Sequence, residues 1–359
     1  MLIQCTKKLL DELKVKPKLN NENDPIFSWH GNILTLNRRK TVVLVNDKSR
    51  YVIVLHGLKA KDFKNFDDIF LQAIRDAFKN EYIKDDVIEE YIERSKGISY
   101  SKTSGRTFVG RLNEVCYNAK YFEDLLDNNS IYQKDLSKRL SRDIVSDKKK
   151  KYIVPNEELY KNLNELTGKE LFSIRAVKLK VTLDLEELSA IRRIIMPLDM
   201  TFRQFHKILQ TIFEWEDYHN YEFLIFDGYE PLINIVSDED ELDVPVGMPV
   251  KLDKYENLSD YIDKYKRIKY IYDYGDEWEH YIEVEEVIDD FNNNHPVCIE
   301  GSGEAPPEDV GGYPGYREFL SIISDENHPN HSEMKSWGIM QGYKEFNIDM
   351  MNRKLKYDL

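Results

Sequence analysis

Residues 176–185 alternate apolar and polar side chains, with Val177, Leu179, Val181 and Leu183 on one face, and no other stretch restricts the fold of this chain as tightly. A period of two is that of a half-buried β-strand. A second strand is expected at 191–196. The period then changes to that of an amphipathic helix over 202–213, with Phe202, Phe205, Leu209 and Ile212 on one side and Thr201 placed as N-cap. A third strand follows at 221–226. Strand, strand, helix, strand is a β-grasp-like opening, so an α+β domain is expected from about Ile174 onward.

The chain has 359 residues, enough for two domains. Residues 1–127 read as a first α+β domain. Three β-rich runs at 33–36, 41–45 and 51–55 form a meander. Apolar residues at helical spacing follow over 66–78, with further helices at 86–94 and 110–126. Residues 128–173 are charged and include a lysine run at 148–151; they are expected to be a connector with short helices. That run could touch nucleic acid or be a solvated linker. The expected domains are therefore 1–127 and 174–359, with the connector between them.

The net charge of -14 disfavours broad nonspecific binding of nucleic acid. Cys5, Cys116 and Cys298 are far apart and form no CxxC pair, which fits a reducing compartment and argues against a disulfide framework or a zinc ribbon. The opening MLIQCTKKLLDELKVKPK has no uninterrupted apolar core, and no segment has the roughly 20 apolar residues of a membrane helix. A cytoplasmic location without membrane contact is the expectation.

Between Tyr270 and Tyr316 there are thirteen acidic residues and no Lys or Arg. Crowded carboxylates repel one another and can recruit a cation or a basic partner. An acidic, solvated surface is the alternative. A β-hairpin is expected over 268–287, turning at Gly275 and Asp276. A two-residue turn would make Asp273 and His280 diagonal neighbours around Trp278. A three-residue turn would put His280 beside Tyr272, away from Asp273. The loop GSGEAPPEDVGGYPGY has five glycines and three prolines, and it lacks the Gly-Lys-Ser/Thr of a phosphate-binding loop. It either presents Glu308 and Asp309 as a cation-binding rim or caps the sheet. No HExxH or GxSxG occurs.

Three ordered motifs resemble the Ri-plasmid ORF-3-like family, which often carries a transposon-passenger "TnpR family" label. The first comprises Arg192, Arg193, Pro197, His206, Trp215, His219, Glu222 and Phe223. The second is Tyr272-Asp273-Tyr274-Gly275-Asp276-Glu277-Trp278-Glu279-His280-Tyr281-Ile282. The third is Pro306-Pro307-Glu308-Asp309-Val310-Gly311-Gly312, then Gly315-Tyr316. Asn352-Arg353-x-Leu355 resembles the family's end. Two positions depart from it. Ile191 stands where the family often has Trp, and Ala305 where many members have Cys, so a family metal site using that Cys would be incomplete. The first domain is similar to another uncharacterised family through TKKLL, SWHGNILTLNRRK and GRTFVGRLN, a resemblance that implies no activity. The family label implies DNA recombination, yet the sequence offers no basic DNA-binding element.

The leading expectation is a non-catalytic binding module of a mobile-element or defence system. It would hold a cation, a basic peptide or a small cationic ligand at the acidic hairpin and loop. Tyr272, Trp278, His206, His219, Arg193, Gly311 and Gly312 are its candidate ligand contacts. The alternative is a metal-dependent hydrolase or nuclease. Asp273, Asp276, Glu308 and Asp309 would then bind Mg²⁺ or Mn²⁺, with His280 and Asp273 as catalytic groups. An acidic mimic of nucleic acid is a third possibility. Carboxylates converging within about 5 Å of a common point would favour a cation site over dispersed surface charge.

Overall fold

The computed structural model describes residues 1–18, 24–146, 152–242 and 244–357. The lysine run at 148–151 lies outside the described residues. The chain divides into two compact units, Met1–Ser173 and Ile174–Leu359. Both mix helices and strands, as expected of an α+β protein.

In the first unit the elements run β1 (Leu2–Cys5), α1 (Lys7–Leu13), β2 (Ser28–Leu36), β3 (Arg39–Asn46), β4 (Val52–His56), α2 (Ala60–Lys64), α3 (Phe66–Asn80), α4 (Asp85–Arg94), β5 (Ser99–Lys102) and α5 (Arg106–Tyr121). Then come α6 (Lys134–Ser141), the short pair β6 (Val145–Ser146) and β7 (Tyr152–Ile153), and α7 (Pro155–Thr167). The expected meander is β2–β3–β4, antiparallel throughout. Sequence reading missed β1, four residues long and too short to show a period, yet it pairs in parallel with both β2 and β5. Helices cover both sheet faces. Val42, Leu44, Ile53 and Leu55 join one core, whereas Val43, Val45, Val52 and Val54 join the other. Two-sided burial explains why these strands are continuously apolar.

The described residues of 128–173, expected as a connector, pack into this unit. Leu136 and Leu140 enter one core, and Leu159 and Leu163 the other. Helix α6 also covers the edge strand β4: the amides of Val52 and Val54 donate to the hydroxyls of Ser141 and Ser137, each at 3.0 Å. An unpaired edge is a template for aggregation, and this cover removes it.

The second unit contains β8 (Ile174–Leu185), β9 (Leu188–Pro197), α8 (Phe202–Phe213), β10 (Tyr221–Asp227), β11 (Glu230–Val236), β12 (Val250–Leu252), α9 (Ser259–Ile262), β13 (Arg267–Tyr272), β14 (Trp278–Phe291), β15 (Val297–Ser302), α10 (Gly312–Ser324), α11 (His331–Met340) and α12 (Ile348–Tyr357). The eight strands form one sheet in the order β12-β11-β10-β13-β14-β8-β9-β15. The strand–strand–helix–strand opening is present. However, β10 does not pair with β8, because the antiparallel hairpin β13–β14 stands between them.

Helix α8 lies on one face of this sheet. Its start is a capping box: the Gln204 amide donates to Thr201 Oγ1 at 3.3 Å, and the Thr201 amide donates to Gln204 Oε1 at 2.9 Å. Phe202, Phe205, Leu209 and Ile212 are buried against Val177, Leu179, Val181 and Leu183 in a single core.

The other sheet face answers the acidic stretch. Glu283 pairs with Lys180 at 3.2 Å, and Glu285 with Lys178 at 3.3 Å and Arg193 at 2.8 Å. Glu279 pairs with Lys269, and Glu300 with Arg193. The basic partners of these four acids thus stand on neighbouring strands, outside the stretch itself.

Candidate functional site

The hairpin register differs from both sequence-based alternatives. Tyr272 pairs with Trp278 and Tyr270 with His280, leaving residues 273–277 as the connecting loop. Two non-glycine residues there, Asp273 and Glu277, have positive φ of 58° and 54°. Asp273 stabilises the turn itself: its Oδ1 accepts from the Gly275 amide at 2.8 Å, and its carbonyl from the Glu277 amide at 2.7 Å.

This register removes His280 from the candidate chemistry. The side chain is fully buried, between Phe213, Trp215 and Tyr270. Its Nδ1 lies 3.1 Å from the Trp278 carbonyl, and Nε2 has no hydrogen-bond partner among the described residues. Burial pushes its pKa down to about 3, so the ring stays neutral. It makes no hydrogen bond to Asp273 and does not reach solvent, which rules it out as acid–base group for an external substrate. Tyr272 and Trp278, expected as ligand contacts, are likewise buried; Trp215 stacks on Tyr272 with ring centroids 5.1 Å apart.

The four expected metal-binding carboxylates separate into two pairs. Glu308 is buried and faces inward, accepting from the Tyr272 hydroxyl and, at 2.8 Å, from the Glu216 amide. Trp215 reinforces this anchor by donating from Nε1 to the Pro306 carbonyl at 2.9 Å. Asp276 accepts from the Gly311 amide at 3.2 Å, at the start of α10, where it serves as a cap supplied from outside the helix. These bonds make both residues structural ties rather than open ligands. Gly311 and Gly312 are part of the same junction. Gly312 has φ of +64°, which disfavours any side chain, and a Cβ there would meet the Asp276 carbonyl oxygen at 3.1 Å, a contact that needs the hairpin to give by a few tenths of an ångström.

Asp273 and Asp309 converge instead on His219, which lies in the connection from α8 to β10. His219 Nε2 is 2.9 Å from Asp309 Oδ1 and 3.6 Å from Asp273 Oδ2. One ligand atom from each of the three residues lies within 4.8 Å of the other two. Asp273 is nearly buried, His219 half-buried and Asp309 exposed, so the group opens to solvent on one side. The hairpin, the Pro-Pro-Glu-Asp loop and the end of α8 thus meet at one place.

His206 lies apart from this group. It is buried, stacked on Tyr221 with centroids 3.5 Å apart, with Nδ1 2.8 Å from the Tyr270 hydroxyl and Nε2 2.7 Å from Asp217 Oδ1. Burial lowers its pKa against the opposing pull of Asp217, and the hydrogen bond from His206 holds Asp217 below the usual carboxylate range. Sequence reading missed Asp217, because an exposed Asp in a connection carries no signal of a partner eleven residues away. Arg193 belongs to the ion pairs of the opposite sheet face and is not part of the site.

Arg192, a residue of the first motif, has a structural role. It is buried with no ion-pair partner among the described residues, donates to the carbonyls of Ile212, Ile191 and Ser302, and sits over Phe346 at 4.1 Å. It thereby satisfies a carbonyl near the C-terminal end of α8.

Comparison with known proteins gives kinship without an activity. Residues 2–158 match the domain of unknown function DUF6933. A similar protein is the uncharacterized protein y4hQ of Sinorhizobium fredii, 36% identical over 163 residues, covering 45% of this chain and 79% of that protein. A solved structure, a protein of unknown function (MM3350) from Methanosarcina mazei, is 30% identical with a TM-score of 0.40, over 45% of this chain and 89% of that one. Residues 175–354, which hold the hairpin, the Pro-Pro loop and His219, match the plasmid pRiA4b ORF-3-like proteins, and this chain belongs to that family.

Proposed function

We propose that the Ile174–Leu359 unit is a binding module that takes a divalent cation at His219, Asp273 and Asp309. The supporting observation is the convergence of three ligand atoms, from three separate chain segments, within 4.8 Å. Ligand bonds of about 2.1 Å set neighbouring ligands about 3 Å apart in an octahedral shell, close to the 2.9 and 3.6 Å seen at His219. An imidazole beside two carboxylates suits Mn²⁺ or Zn²⁺ better than Mg²⁺ or Ca²⁺. Three protein ligands leave positions for water or a second molecule. Titration calorimetry with MnCl₂ and ZnCl₂ tests this reading. Saturable binding that Asp309→Asn weakens at least tenfold supports it, and heats equal to those of matched NaCl end it.

A second reading rests on the groove beside Asp309. It has a volume of about 420 Å³, a floor that includes Phe319, Met334 and Trp337, and acidic walls from Asp309, Glu318 and Glu333 without a Lys or Arg. Neither Glu318 nor Glu333 has an ion-pair partner among the described residues. An organic cation with an apolar body fits this lining. Benzyltrimethylammonium binding that weakens in Glu333→Gln, with no metal heat, would favour this occupant.

A further inference from the structure

The sheet face opposite α8 carries a second, independent feature. Around the β10–β11 turn, two adjoining grooves of about 410 and 280 Å³ share Phe226, Gly228, Tyr229 and Arg267. The larger is within the size range of small-molecule sites. Tyr229 is 86% exposed, and Tyr281 across the groove is 43% exposed. Large aromatic surfaces left in water beside cations are platforms for planar rings.

Register explains the placement. Phe226 pairs with Arg267, and Arg267 with Glu283, so these side chains stand in one row across β10, β13 and β14. Lys269 and Tyr281 form the next row on the same face. The Arg267 guanidinium lies 5.3 Å from the Tyr229 ring centre and has no carboxylate partner among the described residues. Lys264 and Lys266 line the smaller groove and are exposed. The carboxylate on the larger groove, Glu283, is occupied by Lys180. The smaller groove has one acid, Asp227, against Lys264, Lys266 and Arg267, so on a chain of net charge -14 this corner has a basic excess.

We propose that these grooves bind a nucleotide unit, its base stacked against Tyr229 or Tyr281 and its phosphate held by Arg267 with Lys266. Any base offers a π-face, so recognition of this kind is tolerant of sequence, and phosphate contact makes it weaken with salt. The same chemistry occurs in a free nucleotide and in a single strand of nucleic acid. The assignment is independent of the His219 site, none of whose residues lines either groove.

Fluorescence anisotropy with the full chain at low salt tests it, using fluorescein-labelled dT10, the corresponding duplex and a fluorescent AMP analogue. The single strand or the AMP analogue should bind, and the affinity should fall roughly tenfold in Tyr229→Ala, the loss of one base stack. Arg267→Glu should weaken binding further, whereas Asp309→Asn should not change it. Binding of dT10 alone identifies a strand as the ligand, and equal binding of the AMP analogue identifies the free nucleotide. Both variants alter exposed side chains, and unchanged melting temperatures will show that they fold. The proposal is overturned if neither probe binds, if Arg267→Glu binds as well as the natural protein, or if the duplex binds as well as the single strand.

Discussion

Asp309 Oδ1 stands 2.9 Å from His219 Nε2 because its neighbour, Glu308, points the other way. Glu308 is buried against Tyr272 and Glu216, and Asp309 adopts φ of +57° directly after it. One residue thus fixes the loop while the next presents a carboxylate to solvent. The adjacent acids of the Pro-Pro-Glu-Asp motif have different tasks.

Removing the anchor should therefore cost both stability and the site. Glu308→Ala leaves the Tyr272 hydroxyl and the Glu216 amide without their acceptor, a loss of about 3–6 kcal/mol for two charge-assisted hydrogen bonds. Urea unfolding should show that loss, and cation binding should weaken with it. Asp309→Asn should weaken cation binding while leaving the urea midpoint nearly unchanged. Equal effects of the two variants on stability would contradict this division.

His219 itself should matter little to the metal-free fold. Its two carboxylate contacts lie at a solvent-open group, where ion pairs contribute about 0–1 kcal/mol. His219→Ala should thus melt within about 3 °C of the natural protein without metal, while losing the rise that Mn²⁺ produces. A ligand at a hundred times its Kd stabilises the folded state by about 2.7 kcal/mol, so the difference is measurable. Monovalent salt at matched ionic strength is the control, because screening also stabilises an acidic chain. An unchanged Mn²⁺ response in His219→Ala would remove this residue from the ligand set.

Much of this unit was legible because its signals are periodic. The alternation at Val177, Leu179, Val181 and Leu183 and the helical spacing of α8 both lead to buried faces. That the hairpin and loop motifs meet followed from their motif content, but which acid does what did not. Glu308 and Asp276 look like ligands in sequence, and only the hydrogen bonds from Tyr272, Glu216 and Gly311 show them to be occupied. The neighbours of His280 are not legible in sequence because the five-residue turn sets the register, and a shift of register decides which residues share a face. The basic partners of the acidic stretch come from β8, β9 and β13, a relation across strands that no local window contains.

The first unit holds a polar network that sequence reading did not find. Glu81, after α3, accepts from Arg142 at 2.7 and 3.0 Å, from the Tyr160 hydroxyl at 2.7 Å and from the Tyr51 hydroxyl at 2.9 Å. Burial pushes its pKa upward, but Arg142 and the two tyrosines outweigh that and hold it below the usual range. Its contribution is thus present above the unfolded carboxyl pKa and is lost as pH falls through the folded one. Glu81→Ala strands Arg142 and should destabilise the first unit by about 3–5 kcal/mol. Scanning calorimetry should show the transition of Met1–Ser173 lowered and that of Ile174–Leu359 unmoved. A shift below 1 kcal/mol would mean that the network is dispensable.

The second unit should lose stability in mild acid through its buried histidines. Its core cluster is drawn entirely from its own residues, so the fragment 174–359 is expected to fold alone and allows a clean measurement. His280 has a folded pKa of about 3 against an ordinary value of 6.5. Between these values the unfolded chain binds a proton that the folded chain refuses, so stability rises with pH there and falls on acidification. At about 1.4 kcal/mol for each pH step, the full span corresponds to on the order of 5 kcal/mol. His206, whose pKa is also lowered by burial, acts in the same direction. Asp217, held low by His206, adds a loss at more acidic pH. His280→Phe cannot take up that proton, and it also removes the unpartnered Nε2. Urea midpoints of the fragment at pH 7.5 and pH 5 should therefore differ less in His280→Phe than in the natural sequence. If the two sequences lose the same stability between those pH values, His280 is not the group that senses acid.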